Sequence, residues 1–175
     1  MRIERVEELF LTSGQETAIA KLLTQSFTVD FEGRSYFQNR HHCRFLYYDE
    51  TTLVGHLGLC YRAIQLGDQR INIIGIGEVA VRQEARRQGI GFALLNAAIK
   101  LSKESQAGFV LLFGEQSIYE AAGFVPAPNT IKLVEMEGAR TKQVVEENNP
   151  NLMVLSLGER QRDTSVNVDL AGFAF

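Results

Sequence analysis

The stretch EVAVRQEARRQGIGFALL, residues 78–95, changes character twice. Its first residues close a run, Ile71 to Val81, that is apolar on both alternating faces, the pattern of a strand covered on both sides. Its last residues open a helix predicted over Gly89 to Ser105, with Ile90, Ala93, Leu94, Ala97 and Leu101 on one face and Asn96, Lys100 and Lys103 on the other. Between them stand Arg82, Arg86 and Arg87, with Gly89 and Gly91 at the helix start. A strand that stops and a helix that begins leave unpaired N–H groups aimed at one spot, which attracts anions. Each nearby negative charge gains about 0.3–1 kcal/mol there. The two glycines remove the Cβ atoms that would hold a phosphate off the backbone, and the arginines supply charge-assisted hydrogen bonds. A pyrophosphate suits such a corner. Neither GxxxxGK[ST] nor a dinucleotide GxGxxG is present, so this is another kind of phosphate loop. On these residues alone a solvated loop, with Arg82 and Arg86 or Arg87 paired to Glu84, is the alternative.

Outward from this corner the chain alternates strands and helices. RIERVEEL reads as a first strand, and Gln15 to Phe27 as a helix whose apolar face is Ala18, Ile19, Leu22 and Leu23. Thr28 to His42 has no sustained period and is expected as loop, with room for a short helix, a common frame for substrates. CRFLYYDE and TLVGHLGLCYRAIQ are strands, and Gly67-Asp68 supplies a tight turn into the central strand. After the second helix come GFVLLF as a strand, EQSIYEAA as a short helix ended by Gly123, and TIKLVEM as a strand. That order predicts a parallel crossover. EGARTKQVVEENNPN is expected to be partly helical, LMVLSL a last strand, and the tail VNVDLAGFAF docked on this chain's own core or on the second subunit of a homodimer.

Length and composition set bounds. With 175 residues, 45% of them apolar, a single domain over residues 1–175 is expected. A formal charge of −3 gives no global basic field, which speaks against nucleic acid and anionic membrane as partners. No run reaches the roughly 18 apolar residues of a membrane span, and MRIERVEELF is too charged for a secretory segment, so a cytoplasmic protein is expected. Cys43 and Cys60 fall in different strands without CxxC spacing, which argues for two buried thiols and against a disulfide framework or zinc cage.

Two motifs together carry a family resemblance. EVAVRQEARRQGIGFALL resembles the acetyl-CoA signature of the GNAT superfamily of N-acyltransferases, in which Arg or Gln is followed after two residues by Gly, one residue, and Gly or Ala; Arg86, Gly89 and Gly91 match. SIYEAAGF resembles the second motif, with Tyr119 four residues before Gly123-Phe124. The resemblance runs from Val54 to Val134, and VGHLGLCYRAIQLG and GEQSIYEAAGFVPA are similar to small-molecule members such as the aminoglycoside 2′-N-acetyltransferases and the rhizobial nodulation acyltransferase. It implies an α/β (α+β) fold: a mixed, mostly antiparallel sheet, a splay between the central strand and a parallel neighbour, and helices on both faces. It also implies acetyl-CoA as co-substrate, without a metal. Arg86, Arg87, Gln88, Gly89, Ile90, Gly91 and Phe92 would hold the cofactor's phosphates, and the backbone of Val79, Ala80 and Val81 would meet the thioester. Many members contact the pantetheine with an Asn where this chain reads LFGEQS, so either Gln116 substitutes or the contact is absent.

Direct attack of an amine on a thioester makes three demands: a neutral amine, a donor for the thioester oxygen, and a tolerated or protonated thiolate. Glu78 is the only ionisable side chain between Ile71 and Val81, and a carboxylate in an apolar strand is costly unless paired or functional. Its two readings are a general base acting through water and a structural ion pair. A bulge in the Gly75-Ile76-Gly77 run would bring His56 beside Glu78, to orient it or share its proton, whereas a regular hairpin turns His56 to the other face. Tyr119 stands at the family's general-acid position, and a packing tyrosine is its bland alternative. His41 and His42, adjacent and without further ligands, make a poor metal site. Asp30, Glu32, Asp49 and Glu50 would form an acidic wall suited to a cationic amine. The expected function is therefore acetyl-CoA-dependent N-acetylation of a small-molecule amine. The alternatives are a non-catalytic acyl-CoA sensor and a protein or peptide N-acetyltransferase.

Overall fold

Alternation and turn chemistry in the first 81 residues yield four strands: β1 (Arg2–Glu7), β2 (Cys43–Asp49), β3 (Thr52–Leu66) and β4 (Gln69–Val81). The computed structural model describes residues 1–114, 117–137 and 140–175. Two compact units share the long strands β3 and β4: Met1–Cys60 with Ile76–Lys100, and Tyr61–Gly75 with Leu101–Phe175.

In the first unit β1 pairs antiparallel with β2, and β2 with β3. Helix α1 (Ser13–Ser26) begins at a capping box, in which the Thr12 hydroxyl accepts from the Gln15 N–H while the Gln15 side chain accepts from the Thr12 N–H. Its Ile19, Leu22 and Leu23 are fully buried against Val6, Leu46, Tyr48, Leu53 and Ala80. Burying side chains of this kind gains about 1.5–3 kcal/mol each. Helix α2 (Ile90–Lys103) covers the other face, where Tyr47 pairs with Gly55. A Cβ at Gly55 would stand 2.8 Å from Ile90 and 3.0 Å from Leu94, so the missing side chain lets α2 approach. Helices therefore lie on both faces, as the resemblance implied. No regular element forms between Phe27 and His42.

The second unit holds β5 (Phe109–Phe113), α3 (Ser117–Ala121), β6 (Val125–Pro126), β7 (Thr130–Glu137), β8 (Arg140–Asn148), β9 (Leu152–Ser156) and β10 (Val168–Asp169), in the sheet order β6-β9-β5-β4-β3-β10-β7-β8. The parallel pair is β4 with β5, joined through α2. Three expectations need correction. The parallel crossover does not run from β5 through α3 to β7, since β7 lies beside β10 and β8. Residues 140–148 form no helix but a strand antiparallel to β7. Their only apolar residues, Val144 and Val145, are adjacent and cannot make a helical stripe, while with Thr141 they are β-branched and suit a hairpin. β9 is not the last strand, because β10 follows, antiparallel to β3 and parallel to β7. The tail docks within this unit: Leu170 is fully buried, and the Phe175 ring packs on Phe113 and over Gly75, where a Cβ would meet it at 2.4 Å.

Candidate active site

Left-handed backbone falls on Glu78 itself, φ +53°, directly after the glycine run where a bulge was one of the two readings. A non-glycine residue there costs about 1–3 kcal/mol and persists only when its surroundings over-determine it. They do. The Glu78 carboxylate accepts from the Phe37 backbone N–H at 2.6 Å, from His41 Nε2 at 2.9 Å and from Arg44 Nη1 at 3.5 Å. Its main-chain carbonyl is bonded to His56 Nδ1 at 2.8 Å.

Alternation explains why these groups meet. His56, Gly58 and Cys60 point to one face of β3, and Arg44 of β2 pairs with Gly58 on that face. Arg44 is fully buried, donating to both Glu8 carboxylate oxygens at 2.6 and 2.9 Å, to the Ser35 carbonyl at 2.7 Å and to His56 Nε2 at 3.0 Å. A guanidinium only donates, so His56 Nε2 must accept, and the proton resides on Nδ1, which donates to the Glu78 carbonyl. His56 is thus a neutral ring. The His41 ring lies flat on Gly58, where any Cβ would fall 2.3 Å from it, and its Nδ1 is 3.4 Å from Cys60 Sγ.

The charges follow from these contacts. Burial works most strongly against a charged His41, but its bonds to Cys60 and Glu78 and the Glu78 charge prevail, lifting it to about 9. Burial, and then the Arg44 charge, push His56 down to about 3. Burial alone would raise Glu78, yet the bond and charge of His41, with the Phe37 N–H, hold it below the usual carboxylate range. Glu8 is likewise lowered, its burial outweighed by Arg44 and Arg40. An ionised, fully bonded carboxylate therefore sits at the strand's kink and latches the Phe37–His41 segment.

Of the sequence-predicted residues, His56 and Glu78 do meet, through the carbonyl and not the carboxylate. His41 takes the place foreseen for His56. Arg44, Glu8 and His41 were missed, although an arginine inside the apolar CRFLYY is the same signal that singled out Glu78. Asp30, Glu32, Asp49 and Glu50 are all exposed, and Glu32 is paired with Arg34 at 2.8 Å.

In the loop after β4, Arg82 turns inward, donating from Nε to the Leu53 carbonyl at 2.7 Å and pairing with Glu84 at 3.5 Å. This follows the bland reading for that residue. Arg86 donates from Nε to the Val81 carbonyl at 3.1 Å, closing the loop on the strand end, and Gln88 donates to the Glu84 carbonyl. Ala80 and Ile90 are buried, Val79, Val81 and Gly91 half-buried, and Arg86 to Gly89 and Phe92 exposed. Arg87 and Gly89 both adopt left-handed backbone, φ +61° and +78°. The Gly89 carbonyl accepts from the Ala93 N–H at 2.9 Å, so the first N–H groups of α2 have no helical partner. A Cβ built on Gly89 meets nothing within 4 Å, which leaves the approach to these N–H groups open. The chemistry and the open approach fit a phosphate-bearing group.

The sequence profile of the acetyltransferase (GNAT) domain matches residues 10–127, more than half of the chain. The chain belongs to this family. As a GNAT domain it is an acyltransferase. Its fold is similar to that of the GNAT N-acetyltransferase YhbS from Escherichia coli, solved with CoA: 18% identity, TM-score 0.65, covering 97% of this chain and 89% of that one. A GNAT acetyltransferase from Brucella melitensis, solved with acetyl-CoA, is 14% identical with TM-score 0.59 over 95% and 94% of the two chains. A GCN5-related N-acetyltransferase from Kribbella flavida, at 16% identity and TM-score 0.58, aligns with 74% of this chain, which spans only 34% of it.

In the second unit of this GNAT domain, Tyr119 of α3 is buried, edge-on to Phe124 with ring centroids 6.4 Å apart. A Cβ at Gly114 would press to 2.5 Å from its ring. Burial pushes the phenol up, so it stays protonated at neutral pH. Gln116 lies outside the described residues.

Proposed function

We propose that the chain transfers the acetyl group of acetyl-CoA to the primary amine of a small molecule by direct attack. The observation that carries the reading is the loop at the head of α2. Its open N–H groups, Gly89 in left-handed backbone and the exposed Arg86 and Arg87 favour a pyrophosphate. Family membership and the CoA and acetyl-CoA of the similar structures support the same co-substrate.

The amine nitrogen attacks the thioester carbon, the carbon–sulfur bond breaks, and the amine proton must leave. Glu78 is ionised and its oxygens are already bonded, so it acts through water as a transient acceptor that passes the proton on. Tyr119, kept neutral by burial, donates to the departing thiolate. Backbone N–H groups of Val79 and Val81 receive the thioester oxygen.

The test is a thiol-release assay with acetyl-CoA over a panel of small amines, run beside Tyr119→Phe and Glu78→Gln. Turnover with one amine class, lowered about 10²-fold by either substitution while CoA still binds, is the expected result. CoA binding without turnover on any amine would replace the reading with a sensor or a macromolecular acceptor.

A further inference from the structure

The groups that would hold a cation beside Glu78 are already taken by cations of this chain. Glu78 accepts from His41 at 2.9 Å, from Arg44 at 3.5 Å and from the Phe37 N–H at 2.6 Å. Glu8 accepts from Arg44 through both oxygens and from Arg40 at 3.2 Å. His56, against the Glu78 carbonyl, is neutral, and Cys60 meets the cluster through His41. The carboxylates of Glu8 and Glu78 thus face the Arg44 guanidinium and the His41 imidazolium, and the charges of the four cancel. In the segment that Glu78 latches, Glu32 is paired with Arg34 at 2.8 Å, while Asp30 bonds the Glu32 N–H and stands exposed. An aromatic face is the other place for an ammonium. The Tyr36 ring already has the Arg34 and Arg40 guanidinium carbons 5.7 and 4.8 Å from its centroid.

Glu78 is also a poor base towards an ammonium. Against its burial, the bond and charge of His41 hold it below the usual carboxylate range. We propose that the acceptor nitrogen enters uncharged, so that the preferred substrates are small primary amines of low basicity, typified by an α-amine beside an amide carbonyl, and not lysine-like alkylamines. The inference rests on the acetyl transfer proposed above and narrows its acceptor. The neutral nitrogen attacks the thioester carbon and becomes cationic in the adduct, where it is far more acidic than a free ammonium. A weak carboxylate then suffices to take its proton through water, while the carbon–sulfur bond breaks and the thiolate takes a proton from Tyr119.

The size of the effect follows from the neutral fraction. At pH 7 an α-amine with a conjugate acid of about 7.7–8.0 is roughly one-tenth neutral, and an alkylamine of about 10.4 is several hundredfold less so. The experiment offers the full chain acetyl-CoA with glycinamide and phenylalaninamide, or with ethylamine, butylamine and cadaverine, and reads kcat/KM by thiol release from pH 6.5 to 8.5. The amides should be favoured roughly tenfold or more at pH 7, the greater nucleophilicity of alkylamines offsetting part of the difference. That preference should shrink about fourfold by pH 8.5, because the amides level off near pH 8 while the alkylamines keep climbing. Both classes are read on one enzyme, so its own titration cancels from the ratio. Alkylamines favoured at pH 7, or a preference unmoved by pH, would overturn the inference and leave acetyl transfer standing. No turnover on any amine would remove both.

Discussion

Removing the His41 imidazole should flatten the alkaline limb of stability. In the fold this ring is held at about 9, against 6.5 for the free side chain. The folded value is the raised one, so the stabilisation is fully present below pH 6.5 and is lost as pH rises through 9. The difference corresponds to about 3 kcal/mol. It describes the same interaction that lowers Glu78, so the two are not summed. With a urea slope of about 2 kcal/mol per molar, the wild-type midpoint should fall by about 1.5 M between pH 6.5 and 9.5. His41→Gln should start lower and lose far less over that range. The assay is urea unfolding followed by circular dichroism at half-unit pH steps, with reductant throughout. Cys43, pushed up to about 11 mainly by burial, contributes equally to both proteins and cancels in the difference. Parallel wild-type and His41→Gln curves would refute the ion pair with Glu78.

Three further outcomes follow from the same cluster. Gly58→Ala drives a methyl to 2.3 Å from the His41 ring and should cost about 1–3 kcal/mol in unfolding free energy, whereas the His41→Gln background should tolerate it better, as a double-mutant cycle would read. Arg44→Met leaves Glu8 and Glu78 buried without their guanidinium and should cost about 3–5 kcal/mol by denaturant titration; a neutral effect would contradict the network. On the acid side, His56, depressed to about 3, and the lowered Glu8 and Glu78 all carry folded values below their free ones. Their stabilisation is present above the free values and lost as pH falls, so thermal midpoints should drop from about pH 6.5 downward. Midpoints constant down to pH 4 would contradict those assignments.

The glycine-bearing turn before α2 and the central strands were legible because each rests on local signals: periodicity, glycines at the helix start, a tight Gly67-Asp68 turn. The strand over residues 140–148 was not, since its residues are almost all polar and only pairing with β7 decides their state. The short strands β6 and β10 have two residues each and exist through their neighbours. At the site, burial of Glu78 in an apolar strand was readable from sequence. Its partners came from a loop without periodicity, 36 to 41, and from a second strand, so only the tertiary register could name His41 and Arg44. Counting registers left His56 on either face, beside Glu78 only if the strand bulges, and the atom it bonds depends on the kink at Glu78.

The most direct measurement on the central claim is calorimetric titration of the purified chain with CoA, beside a variant carrying Arg86→Ala and Arg87→Ala. The account predicts saturable binding to the wild type and a loss of roughly tenfold or more in the variant, with thermal stability lowered only slightly, since both side chains are exposed and the one bond removed is that of Arg86 to the Val81 carbonyl. No binding of CoA by the wild type, or equal binding by both proteins, would contradict it.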